Sequence, residues 1–156
     1  MDFQQSTALP PPTDDLIQWF ETAYRLKLPA DYVAALKHGN GAIPIRRTFQ
    51  QGKRERLIER MLCLIPEPQD DQVNGWYDLT AVISQLDARL IDDENLVGMN
   101  VIPIAVLFAG DFVCLDFRRN PESPLVAVWN HEQSRDLRPL LEPVAPSFTA
   151  FDDMLK

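Results

Sequence analysis

The chain has 156 residues, 46% of them hydrophobic and 24% charged, with a formal net charge of −8. That apolar content suffices for one domain with its own core, and no run reaches the roughly 20 apolar residues a membrane span needs. The acidity argues against direct nucleic-acid binding and for a basic partner.

The N-terminal Met-Asp-Phe-Gln-Gln-Ser-Thr has neither a basic start nor an apolar stretch, so no secretion signal is expected and the expected compartment is the cytoplasm. Residues 1–12 end in Pro10-Pro11-Pro12 and read as a loose lead-in to a single domain over 13–156. Thr13 is a good N-cap, with Asp14 and Asp15 in the first turn, where the helix dipole favours negative charge. Leu16, Ile17, Phe20, Ala23 and Tyr24 then line one face, which predicts a helix over 14–26. Pro29 at a first helical position starts a short second helix that stops at Gly39.

Residues 43–50 and 56–65 flank Gln51-Gly52-Lys53, which suits a hairpin turn. The second arm is ambiguous, because Leu57, Ile58, Met61, Leu62 and Ile65 also fit a helical period. Asp78 caps a helix carrying Leu79, Val82, Ile83, Leu86 and Leu90, and Asp92-Asp93-Glu94-Asn95 ends it. Residues 101–117 hold the densest run of β-branched and aromatic side chains, broken at Ala109-Gly110-Asp111, and read as two strands around a tight turn. Residues 125–129 add a third strand. Ser147 caps a last helix that docks Phe148, Phe151 and Leu155. The order is α-α-β-β-α-β-β-β-α, an α+β fold with helices against a central antiparallel sheet.

Chemical motifs are sparse. There is no Gly-x-Ser-x-Gly elbow and no Walker loop. Gly39-Asn40-Gly41 lacks the third glycine of a dinucleotide fingerprint. Only His38 and His131 are present, without a close cysteine pair, so no zinc site is expected. Asp92-Asp93-Glu94 lacks the spacing of a calcium loop. No metal and no cofactor are therefore expected. Cys63 and Cys114 lie in apolar runs and read as buried free thiols, with a disulfide still open. Asp111, Asp116, His131 and Glu132 could meet at one end of the sheet for acid–base work. Arg46, Arg47, Lys53, Arg54, Arg56 and Arg60 hold six of the fifteen basic residues and read as a solvated hairpin. Trp76 and Tyr77, beside Asn74-Gly75, are expected to be partly exposed.

Several segments in order resemble the SUKH superfamily, which includes the yeast cell-wall-assembly regulator and many bacterial immunity proteins. They are Leu28-Pro29-Ala30-Asp31-Tyr32, Asn40-Gly41, Tyr77-Asp78-Leu79, Ile102-Pro103-Ile104-Ala105, Gly110-Asp111, Cys114-Leu115-Asp116, Val128-Trp129-Asn130-His131-Glu132 and Ser147-Phe148-Thr149-Ala150-Phe151. Two departures are Ala42, where the family often has a second glycine, and the apolar Val106-Leu107-Phe108-Ala109 before Gly110. The resemblance implies an α+β fold and favours a strand over 56–65. It also implies binding rather than catalysis: an immunity protein that neutralises a cognate toxin domain, with an intracellular scaffold module as the alternative; a small hydrolase using Asp111, Asp116 and His131 is a third reading, taken from those residues alone. The expected partner is a toxin domain with a basic surface, a nuclease for instance. The candidate contact residues are Asp70, Asp71, Trp76, Asp92, Asp93, Glu94, Asp111 and Glu132.

Overall fold

Six strands follow one another along the chain and lie side by side in the same order, every neighbouring pair antiparallel. They are β1 (Thr48–Gln51), β2 (Arg54–Met61), β3 (Val101–Leu107), β4 (Phe112–Asp116), β5 (Leu125–Trp129) and β6 (Leu141–Ala145) in a computed structural model that describes Met1–Lys156. The ambiguous arm is thus a strand. Its burial grows from the exposed Arg54 and Glu55 at the hairpin turn to the buried Ile58 and Met61, and the ladder to β3 slips between Ile58 and Arg60. β3 is buried nearly throughout, as its unbroken apolar run demands of a strand covered on both faces. Pro103 has no N–H to give the ladder, and the register slips there, between Pro103 and Ala105.

β6 is an addition to the order expected from sequence. Pro139, Pro143 and Pro146 make that segment read as irregular, yet at the rim of a sheet Pro143 does not interrupt a two-sided ladder. The sheet curls enough for Gln51 of β1 to donate to Glu142 of β6. The outer edge of β1 is covered by the backbone of Lys156, which exchanges hydrogen bonds with Thr48.

The helices are α1 (Asp14–Tyr24), α2 (Ala30–His38), α3 (Leu79–Leu86) and α4 (Phe148–Met154). Thr13, Asp78 and Ser147 cap α1, α3 and α4 through their side-chain oxygens. α1 stops at Tyr24 rather than residue 26 because Arg25 turns left-handed, at φ 57°. Pro29 serves as the N-cap of α2, one residue before the first helical position expected for it. α3 ends before Leu90 because Asp87 leaves the helix at φ 41°. Leu90 is still fully buried, carried in by the following 3-10 turn. α4 sets Phe151 edge-on against Phe49 of β1, with ring centroids 5.1 Å apart.

The first dozen residues differ from the loose lead-in expected of them. Phe3 is buried and pairs with Pro44, and the Leu9 amide donates to the Asn40 carbonyl at 2.9 Å. The reason is at Gly39, where a Cβ would lie 2.2 Å from the Phe3 ring. Only glycine lets that ring close over the end of α2. A triproline composition signals exposure, but one aromatic residue ahead of it suffices to anchor the segment.

Candidate partner-binding site

The segment between Met61 and α3 is built from two 3-10 turns, Pro68–Asp70 and Gly75–Tyr77, joined by an Asx turn. Asp71 Oδ1 accepts from the amides of Asn74 (2.7 Å) and Val73 (3.0 Å), and Oδ2 accepts from the Asn74 side chain (3.2 Å). Those bonds, led by the Asn74 amide, hold the Asp71 carboxyl below its ordinary range. The two 3-10 turns touch at Gly75, where any Cβ would sit 2.0 Å from the Pro68 carbonyl oxygen. Arg60 fastens the far side. It donates to the Gly41 carbonyl and to Asn74 Oδ1, and its guanidinium lies 4.2 Å over the Tyr77 ring.

With Tyr77 held inward under Arg60, the neighbouring Trp76 is turned outward and is 67% exposed. It stands over a groove of about 530 Å³ whose walls include Tyr24, Gln69, Asp71, Thr80 and Ser84. Residues 61–88 contain five carboxylates and no Lys, Arg or His. Asp71 is the one charged residue in the groove lining, so the groove is a braced surface with a single negative charge, one large aromatic anchor and a rim of hydroxyl and amide groups. That composition matches the anchor-and-rim anatomy of protein interfaces.

The eight candidate contact residues fall in three places. Asp70, Asp71 and Trp76 share this groove region. Asp111 and Glu132 meet at the β3–β4 turn, in a second cleft with Arg54, Arg56 and the exposed Phe108. There Asp111 is committed internally: Oδ2 pairs with Arg56 at 2.7 Å and Oδ1 accepts the His131 amide at 2.8 Å. Asp92, Asp93 and Glu94 follow the 3-10 turn after α3. Asp92 pairs with Arg118 just past β4, and Asp93 accepts the Asn95 amide. Asp111 and Asp116 bracket β4, about 17 Å apart at ~3.4 Å per residue. Asp116 is clamped by Arg118 at 2.9 Å through both oxygens. Within the acid–base grouping, Asp111, His131 and Glu132 lie together while Asp116 is held apart at the far end of β4, so the full grouping is not assembled.

The basic hairpin is dispersed in the same way. Arg56 and Arg60 point inward to Asp111 and Asn74, and Arg46 reaches the Leu155 carbonyl. The groove walls Tyr24, Gln69, Thr80 and Ser84 had no signal in sequence. They are scattered polar and aromatic residues brought together by the packing of α1, the turns and α3.

Both thiols are buried and unpaired. Burial first, then the Asp78 charge, pushes Cys63 up to about 12. A thiol-reactive maleimide at neutral pH is expected to leave both cysteines unmodified in the native protein and to label both in denaturant; rapid native labelling would contradict their burial. The raised Cys63 thiol adds stability that is intact below its unfolded value near 9 and is lost as pH rises toward about 12.

No helix is long and apolar enough to cross a membrane. No curated protein and no solved structure matches the chain. The sequence model of one family, described as SMI1-KNR4 cell-wall (SUKH_6), matches residues 14–151. With that match spanning both the sheet and the groove, the protein belongs to the SMI1-KNR4 family of the SUKH superfamily.

Proposed function

We propose that this protein is a cytoplasmic immunity protein that neutralises a cognate toxin domain by stoichiometric binding, without catalysis, and that the Trp76 groove is its docking surface. The observation that carries this reading is Trp76, exposed on a braced loop within a stretch of five carboxylates and no basic residue. A toxin that handles nucleic acid presents a basic surface to phosphates, and an acidic antidote competes for that surface and is steered to it. Membership of the family supports a protein-binding role. The three acidic residues that follow the 3-10 turn after α3, Asp92 to Glu94, contribute to steering rather than to contact, since Asp92 and Asp93 are held by Arg118 and Asn95.

A growth-rescue experiment tests the function. The C-terminal domain encoded immediately upstream of this gene is expressed in a naive host with and without the protein. Killing by the domain alone and survival with both is the expected result. Killing that the protein does not relieve removes the antidote reading and favours a scaffold that binds several partners weakly.

A further inference from the structure

A third cleft, of about 760 Å³, lies beyond the C-terminal end of α3. Its walls are Arg89, Ser134, Arg135, Asp136, Leu137 and Arg138. Residues 135–138 form a two-residue hairpin: the Arg135 amide donates to the Arg138 carbonyl (3.1 Å) and the Arg138 amide to the Arg135 carbonyl (2.9 Å). Residues paired in this way carry their side chains on one face, so Arg135 and Arg138 project from the same side of the hairpin. The hairpin tip is docked, not free. The Leu137 amide donates to the Ala88 carbonyl at 2.8 Å, and Leu137 is held at φ 59°. That docking brings Arg89 in as the third wall.

Arg89 and Arg135 are positioned by hydrogen bonds to backbone carbonyls, and none of the three arginines is ion-paired, although Asp136 lines the same cleft. Arg89 lies 5.0 Å over the Trp129 ring and donates one N–H to the His131 carbonyl. Arg135 spends Nη1 on the Glu132 and Ser134 carbonyls. The protein has 23 carboxylates against 15 Lys and Arg, yet none of its seven ion pairs includes Arg89, Arg135 or Arg138. Like charges directly opposite on a hairpin repel. A multiply charged oxyanion seated between them removes the repulsion, and the planar fork of arginine matches the oxygens of phosphate.

We infer that this cleft binds a phosphate monoester group, borne by a small phosphorylated molecule that occupies the remaining volume. The inference stands apart from the toxin reading, since it uses neither the groove nor the partner. The experiment is a calorimetric titration of the full chain at fixed ionic strength with inorganic phosphate, with a nucleoside monophosphate and with a glutamate-rich peptide. Melting temperature is recorded without ligand for the wild type and for Arg138→Gln. Both phosphates are expected to saturate one site, and Arg138→Gln to weaken them about 10- to 100-fold. Without ligand the variant is expected to melt no lower than the wild type, because it relieves a like-charge pair. Absence of saturable phosphate binding, equal binding by the variant, or a variant that melts lower without ligand overturns the inference. Binding of the acidic peptide alone does so as well, and would make the cleft a protein-docking surface.

Discussion

Asp78→Ala is expected to lower the free energy of unfolding by about 2–5 kcal/mol. Asp78 is fully buried and has no cationic partner, so its charge is balanced by amide and hydroxyl donors alone. Oδ1 accepts from the Thr80 amide at 2.8 Å and caps α3, a contact worth ~1–2 kcal/mol. Oδ2 accepts from the Ile65 amide at 3.0 Å, and leaving that buried donor unpaired costs a further ~1–3 kcal/mol. The loss is read from the urea midpoint at unchanged slope. Asp78→Asn, which keeps one acceptor, is expected to lose less than half as much. A loss below about 1 kcal/mol for the alanine variant would mean that Ile65 and the start of α3 find other partners.

Asn40→Ala is expected to cost about 3–5 kcal/mol and to lower the melting temperature on the order of 10 °C. The Asn40 side chain acts as a substitute for a neighbouring strand. Its Oδ1 accepts the Leu64 amide at 2.8 Å, and its Nδ2 donates to the Leu64 carbonyl at 3.0 Å and the Pro10 carbonyl at 2.8 Å. Alanine leaves three backbone groups without their partner at once, and the two of Leu64 are buried. Asn40 and Asp78 together hold residues 62–65, where the chain leaves β2 and passes through the core. The Leu62 amide donates to Ile104, and Cys63 exchanges hydrogen bonds with Tyr77 and Leu79. Because both side chains secure one strap, the double replacement is expected to cost less than the sum of the single ones. Additive losses in a double-mutant cycle would show that the two anchors act independently.

These two residues also show what could be read from the chain. Asn40-Gly41 and Tyr77-Asp78-Leu79 were legible as family wording, yet their role is architectural: they satisfy the backbone of a segment that has no complete strand beside it. The apolar strands β3 to β5, the caps Thr13, Asp78 and Ser147, and the docking of Phe148 and Phe151 followed from local pattern, since each depends on neighbours in sequence. β6 did not, because an edge position is a property of the assembled sheet and only that position tolerates Pro143. The packed N-terminus did not either, because it depends on Phe3 meeting Gly39 across the fold.

The candidate site divides along the same line. Trp76 was marked by its place beside Asn74-Gly75, where a turn leaves little to cover an indole. The fate of Asp111 was hidden, since its partner Arg56 is 55 residues away and the two meet only through the pairing of β2 with β3 and β3 with β4. The Arg89, Arg135 and Arg138 cluster was hidden for the same reason: nothing near residue 89 announces a hairpin at 135–138.

The most direct measurement is a calorimetric titration of the C-terminal domain encoded immediately upstream of this gene with the wild-type protein and with Trp76→Ala. The wild type is expected to bind one-to-one at nanomolar strength, on the order of −12 kcal/mol. Trp76→Ala is expected to weaken it by about 2 kcal/mol or more, roughly 30-fold, with an unchanged melting temperature, because the exposed indole supports no core contact. Binding of the variant at wild-type strength would place the interface elsewhere on the surface, and absence of binding by the wild type would contradict the antidote reading itself.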